Sequence, residues 1–191
     1  LSVQNFEQHE ADITKGKHKP LPYPYLSLIE LSLDGAEQAS DLIQLITTLH
    51  QAQPIANEPA IWLYFTTSEK VGRVPSTTEP LMTMAFANAL PGKEREFREW
   101  YNTRHIRHAL NVPALVSGQC FELTEFQQTG ALAADFSLIA IYEQEGTPQD
   151  IMDSFADIPP GTLSFPALDT TPGHFAEWVY RPVSEKVCCD I

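Results

Sequence analysis

A tryptophan-led motif occurs twice in this chain, and the distance between its copies limits what the chain can fold into. Trp62-Leu63-Tyr64 followed by Ser68-Glu69-Lys70-Val71 returns as Trp178-Val179-Tyr180 followed by Ser184-Glu185-Lys186-Val187, every pair 116 positions apart. Ser2, Gln4, Phe6 and Glu7 match Ser117, Gln119, Phe121 and Glu122 at an offset of 115. Ser27-Leu28-Ile29 matches Ser137-Leu138-Ile139 at an offset of 110, which implies a longer hairpin in the first copy. One such match is within chance; three in the same order read as a duplication.

The second copy reads whole. Residues 81–90 form a strand. Pro91-Gly92 then opens a helix with glutamates in its first turns and Arg104, Arg107 and His108 in its last, a polarity that suits the helix dipole. Asn111 is the expected left-handed stop, and Pro113 forbids continuation. A long strand over 114–126, a turn through Gly130 and a strand over 136–143 follow. Thr147 caps a second helix that Pro148 begins, with Ile151, Met152 and Phe155 as its apolar stripe. A loop carrying Pro159, Pro160, Pro166 and Pro172 leads to a last strand over 175–181. The order β-α-β-β-α-β is that of a ferredoxin-like unit.

In the first copy only the later elements are legible. Leu1 falls opposite Val116, inside the second strand of the unit. A strand over 25–33, a capping box at Asp34-Gly35-Ala36-Glu37 and a helix striped with Ala39, Leu42, Ile43, Ile46 and Leu49 come next. A strand over 61–67 and a link over 72–80 complete it. The expected fold is α+β: two ferredoxin-like repeats, residues 1–78 and 79–191, the first lacking its first strand and helix in this sequence. That strand lies inside the sheet in this topology, and unpaired buried backbone is costly. The expectation is that natural residues precede Leu1 or that another segment fills the place.

The first helix of the second copy carries the candidate site. Wound at roughly 100° per residue, it sets Phe97, Tyr101, Arg104 and His108 on one face, with Trp100 and His105 on the shoulders. A helix normally buries plain aliphatics. A phenol, a guanidinium and imidazoles on that face mark a site, or else polar tips that snorkel to solvent. His105 is the first candidate for general acid or base, because imidazole titrates near neutrality; otherwise it is a core histidine bonded to a carbonyl. Tyr101 could donate to a carbonyl or enolate oxygen, or be an aromatic with its hydroxyl at the rim. Arg104 with His108 could hold a substrate carboxylate, or pair with Glu94 or Glu122. Trp100 and Phe97 are candidate substrate contacts, and His108 is a further catalytic candidate. His105 and His108 suggest no third metal ligand, so no metal is assigned. His174 reads as a loop residue, and Trp62 and Trp178 as core.

Composition narrows the function classes. With 12 basic and 25 acidic residues the net charge is −13, which argues against nucleic acid or an anionic membrane as partner. Hydrophobic residues make up 43 %, with no apolar run long enough to span a bilayer. Cys120, Cys188 and Cys189 form neither a disulfide framework nor zinc spacing. No signal peptide is legible, so the cytoplasm is expected. Cys188-Cys189-Asp190-Ile191 formally fits a prenylation box, but Asp190 sits where an aliphatic residue belongs. There is no glycine-rich phosphate loop and no Gly-x-Ser-x-Gly. What remains is proton transfer on a small molecule, with no cofactor.

Gly92-Lys93-Glu94 with Phe97, then Trp100-Tyr101-x-x-x-His105-Ile106 and Val112-Pro113, resembles the first-helix signature of the dimeric α/β-barrel superfamily. Within it the resemblance is to the EthD-like branch, which includes tandem-repeat members. It covers the second unit and the first from its second strand onward. The resemblance implies two units packed sheet to sheet, from two chains or one duplicated chain, with a ligand pocket between each sheet and its first helix. It allows a homodimer through the barrel sheets. It implies a cofactor-independent isomerase, cyclase, decarboxylase or related lyase, or a monooxygenase, acting on an aromatic, polyketide-like or enolisable molecule, or else a non-catalytic binder, or a haem protein. The family's recurrent histidine maps to His105. Arg107 stands where a proline often follows in the family, so the helix is expected to run unbroken to Asn111.

Overall fold

Side chains in the strands alternate between two faces, and that alternation organises the molecule. The computed structural model describes residues 2–16, 23–32, 36–52, 60–127, 136–156, 158 and 167–188, with backbone only at 36, 37, 46, 47, 49–52, 155 and 156. The strands are β1 (Ser2–Gln8), β2 (Tyr25–Glu30), β3 (Tyr64–Thr66), β4 (Val71–Gly72), β5 (Leu81–Ala87), β6 (Leu115–Leu123), β7 (Leu138–Gln144), β8 (Phe175–Pro182) and β9 (Val187–Cys188). The helices are α1 (Ala36–Ala52), α2 (Glu94–Trp100), a π segment (Tyr101–His105), α3 (Ile106–Ala109) and α4 (Pro148–Ala156).

All strands join one antiparallel sheet in the order β2-β1-β8-β5-β7-β6-β3, with β4 on β6 and β9 on β1. The run β8-β5-β7-β6 is the fourth-first-third-second order of a ferredoxin-like unit. Beyond that run, β1 and β2 extend the sheet from β8, and β3 extends it from β6. Among the described residues no strand lies between β2 and β3. One cluster gathers Phe6, Met84, Phe86, Ile139, Trp178 and Tyr180, with Leu26, Leu28, Tyr64 and Phe121 packed against it. Side chains from both ends of the sheet meet there, so the sheet must curl around them. This is an α+β fold with a curled, barrel-like sheet. The opposite face buries Ala85, Ala87, Cys120, Ala140, Tyr142 and Val179 under Phe97, Tyr101, Ile106 and Ile151.

The two copies of Ser-Glu-Lys-Val make matching bonds. The Ser68 hydroxyl accepts from the Cys120 N–H at 3.0 Å and donates to the Glu69 carbonyl; Ser184 accepts from the Asn5 N–H at 3.0 Å and donates to the Glu185 carbonyl. The Gln119 amide donates to the Ser68 carbonyl and the Gln4 amide to the Ser184 carbonyl. Lys70 pairs with Glu143, and Lys186 with Glu30. Neither short strand that follows, β4 or β9, is expected from the sequence.

Strand registers keep two of the three sequence matches and correct the third. Phe6 opposes Pro182 as Phe121 opposes Thr66, in keeping with offsets of 115 and 116. In the hairpins, however, Phe6 opposes Leu26 while Phe121 opposes Ile139, an offset of 113 and not 110. A slip of an odd number of residues turns a strand over. Leu28 accordingly packs on the inner cluster, whereas Leu138 faces the helices.

Local signals hold where charge and capping set them. The Asp150 carboxylate accepts from the Thr147 N–H at 2.6 Å, and the Asp150 N–H donates back to the Thr147 hydroxyl, so Pro148 begins α4 as expected. Asn111 is not left-handed: among described non-glycine residues only Lys15 has positive φ. The helix instead tightens, with Asn111 and Val112 N–H groups bonding three residues back to His108 and Ala109. The turn through Gly130, Asp34-Gly35, Pro159, Pro160, Pro166 and the Phe155 side chain lie outside the described residues. Among those described, no helix is long and apolar enough to cross a membrane.

Candidate active site

Gly92, at φ +79°, makes the turn into α2, and the Glu94 carboxylate accepts its N–H at 2.9 Å. Three residues into the π segment the face predicted from a uniform helix is lost. The Ile106 N–H bonds to the Tyr101 carbonyl, five residues back, which spends one extra residue on that turn. Everything after Tyr101 therefore lags by about one position. Phe97 and Tyr101 are followed on the inner face by His105, Ile106 and Ala109. Arg104 and His108, expected on that face, are exposed, as is Arg107. Glu122 is taken by Arg98 instead. The helix stays continuous as far as Ala109.

Small side chains on the floor leave space beneath this helix. Ala85 on β5 and Ala109 on α3 border a cavity of about 100 Å³, with Leu115, Leu168 and Phe175 as further apolar walls. Of the residues expected from sequence, Phe97, Trp100, Tyr101 and His105 line it, and Arg104 and His108 do not. His105 stacks on Tyr101 at 4.9 Å with 9° between planes, and touches Trp100 at 4.6 Å. Phe97 stacks on Tyr101 at 5.2 Å.

Two further polar residues line the cavity that the helix pattern could not show: Tyr142 on β7 and Glu177 on β8. Glu177 had a signal. In Phe175-Ala176-Glu177-Trp178-Val179 it shares a face with Phe175 and Val179, an acid on an apolar strand face, and Ile61 stands 116 positions upstream. Tyr142 had none in its own neighbourhood. Its ring occupies room that Gly118 leaves, since a Cβ there would come within 2.7 Å of it.

The electrostatics are those of burial without compensation. Among the described residues the Tyr101 and Tyr142 hydroxyls and the His105 Nδ1 are buried with no hydrogen-bond partner. Burial pushes both phenols well up, so they stay protonated. Burial, with a smaller contribution from His108, pushes His105 down to about 4, which leaves a neutral imidazole near neutral pH. Glu177 has no hydrogen bond or ion pair among the described residues, and burial pushes it up to about 7. It is only half-buried by surface, and the surface it keeps is consistent with lining the cavity. Burial raises the Cys120 thiol to about 12; its Sγ lies 3.8 Å from the Tyr101 carbonyl. Outside the cavity, His174 pairs with Asp169 at 2.7 Å in the loop before β8. Among the described residues no three His, Cys, Asp or Glu gather as a metal site. The arrangement can hold an apolar guest, donate hydrogen bonds from two phenols and exchange a proton with a carboxyl group.

No family model and no curated protein matches the sequence. A solved structure of an anthrone oxidase-like protein is similar to this chain, with a TM-score of 0.59 at 10 % identity over 98 % of this chain and 78 % of that one. At that identity the likeness shows the fold alone, and the fold is the α+β barrel.

Proposed function

We propose that this chain is a cofactor-independent acid–base enzyme that binds a small, largely apolar, enolisable molecule beneath the Glu94–Ala109 helical run and moves a proton on it. One observation carries the reading: the buried Tyr101 and Tyr142 hydroxyls and His105 Nδ1, none with a hydrogen-bond partner among the described residues, line a single apolar cavity with the half-buried Glu177, which has no hydrogen bond or ion pair there. Buried polar groups are nearly always satisfied, and their convergence on one cavity is how a small-molecule site is built. A π turn at the same place supports it, because such turns recur at functional sites. Within this reading the two halves are copies of one EthD-like unit, supported by the matched motifs and registers. The anthrone oxidase-like neighbour is in keeping with small-molecule chemistry on this fold.

The test is hydrogen exchange. Cyclohexanone incubated with the protein in heavy water should lose its α-hydrogens faster than in buffer at the same pH, read by proton NMR, and phenol should bind with its ring signals perturbed. Phenol binding with no exchange overturns the enzyme in favour of a non-catalytic binder. Neither binding nor exchange overturns the site.

A further inference from the structure

We infer that Glu177 is the proton-transferring group of this cavity and that its guest is a neutral carbonyl compound presenting one small ring, never a carboxylate. The inference rests on the acid–base reading above and deepens it.

Geometry carries the assignment. Glu177 is the one carboxylate among the described residues that line the cavity, and no Lys or Arg is among them. Arg104, Arg107 and His108, the nearby cations in sequence, are exposed. An anionic guest would therefore meet a carboxylate and no counter-charge in a poorly solvated space, where like charges repel strongly. A neutral carbonyl meets the opposite: two phenols with hydrogens to give and a carboxylate able to take a proton. The volume of about 100 Å³ is below the roughly 150 Å³ of an engineered cavity that takes benzene. The enclosed part thus admits one small ring at most, and a larger molecule would extend toward the mouth.

The step balances without a co-reactant. The Glu177 carboxylate removes a proton from the carbon next to the carbonyl. The C–H electron pair becomes the C=C bond of an enolate as the carbonyl π pair moves to oxygen. Hydrogen bonds from Tyr101 and Tyr142 stabilise that oxygen. The Glu177 carboxyl then returns its proton to the same carbon or to another. The titratable neighbours that line the cavity with Glu177 are Tyr101 and His105 from the helix and Tyr142 from β7. The phenols are held protonated and the imidazole neutral, so none of them ionises near pH 7, whereas Glu177 does.

The experiment uses cyclohexanone exchange with phenol and benzoate binding. Wild type should exchange faster as pH rises, levelling beyond a midpoint near 7. Glu177→Gln should lower exchange by about 100-fold or more while phenol still binds within about twofold. Glu177→Asp, which keeps the carboxyl, should retain measurable exchange, and His105→Gln, which alters the cavity wall but leaves the carboxyl, should lower exchange less than Glu177→Gln does. Near pH 8 benzoate should bind at least about tenfold more weakly than phenol, and Glu177→Gln should narrow that gap. Exchange that persists in Glu177→Gln, or that is lost in His105→Gln alone, with phenol still bound, overturns the role of Glu177 and leaves the acid–base reading standing. Benzoate bound as tightly as phenol overturns the neutral guest. Loss of both phenol binding and exchange in wild type removes the underlying reading as well.

Discussion

Ser68 and Ser184 each take a backbone N–H from a strand of the opposite half, one from Cys120 on β6 and the other from Asn5 on β1. Six residues before Ser68 and Ser184 stand Trp62 and Trp178, and just before those the halves part: Ile61 in the first, Glu177 in the second. Hydrogen bonds that hold the curled sheet together recur because the backbone geometry recurs. A half-buried carboxyl with no hydrogen bond or ion pair among the described residues costs desolvation with nothing to offset it. On the proposed function this carboxyl, with Ile61 at the matching position, is what sets the second half apart, and the frame around it can be symmetric without the chemistry being so.

The largest test of that contrast is how stability depends on pH. Glu177 holds its proton in the folded state up to about 7 but in the unfolded chain only to its ordinary 4.5, so its contribution is lost as pH rises through that window. His105 is the reverse: its folded value is about 4 against an ordinary 6.5, so its contribution is lost as pH falls from 6.5 to 4. Each amounts to at most something on the order of 3 kcal/mol, and less for the partly exposed Glu177, where solvent screens the charge; in the wild type they oppose one another. Urea unfolding across pH should show Glu177→Gln losing stability toward acid relative to wild type, and His105→Gln losing it toward neutral pH. Parallel profiles for wild type and both variants would place these groups in solvent.

Next comes the floor of the cavity. At the position matching Gly118 the first half carries Val3, where a side chain is tolerated. At Gly118 a Cβ would meet the Tyr142 ring at 2.7 Å and Ile106 at 2.8 Å. Gly118→Ala should cost about 1–3 kcal/mol and weaken phenol binding, whereas Val3→Ala should leave binding unchanged. Equal loss of phenol binding in both variants would dissolve the contrast between the halves.

The smallest effect sharpens the symmetry itself. Ser68→Ala removes a half-buried bond to Cys120 and should cost about 1 kcal/mol. The matching Ser184→Ala loses an exposed bond to Asn5 and should cost about 0.5 kcal/mol or less. Thermal unfolding of the two variants side by side reads the difference, and a larger loss at Ser184 would reverse the ranking.

Much of this architecture can be read in the chain because its causes are local. Thr147 and Asp150 cap α4 through bonds three residues apart. Alternation along β8 sorts Phe175, Glu177 and Val179 from Ala176, Trp178 and Tyr180. The hairpin match at 110 failed for a different reason: three short residue identities do not fix a register, whereas the inward turn of Leu26 and Leu28 does.

The sequence by itself determined the order of the longer elements, the recurrence of Ser-Glu-Lys-Val and the aromatic, imidazole-bearing helix, since propensity, capping and spacing act over a few residues. Tertiary structure alone decided the phase of that helix. One π turn, fitted against β6 and β7, moves Arg104 and His108 to solvent and His105 and Ala109 inward. It also decided the chemistry of Tyr142 and Glu177, because desolvation depends on what surrounds a group in space, and those surroundings come from β5, β6, β7 and a helix far away in the chain.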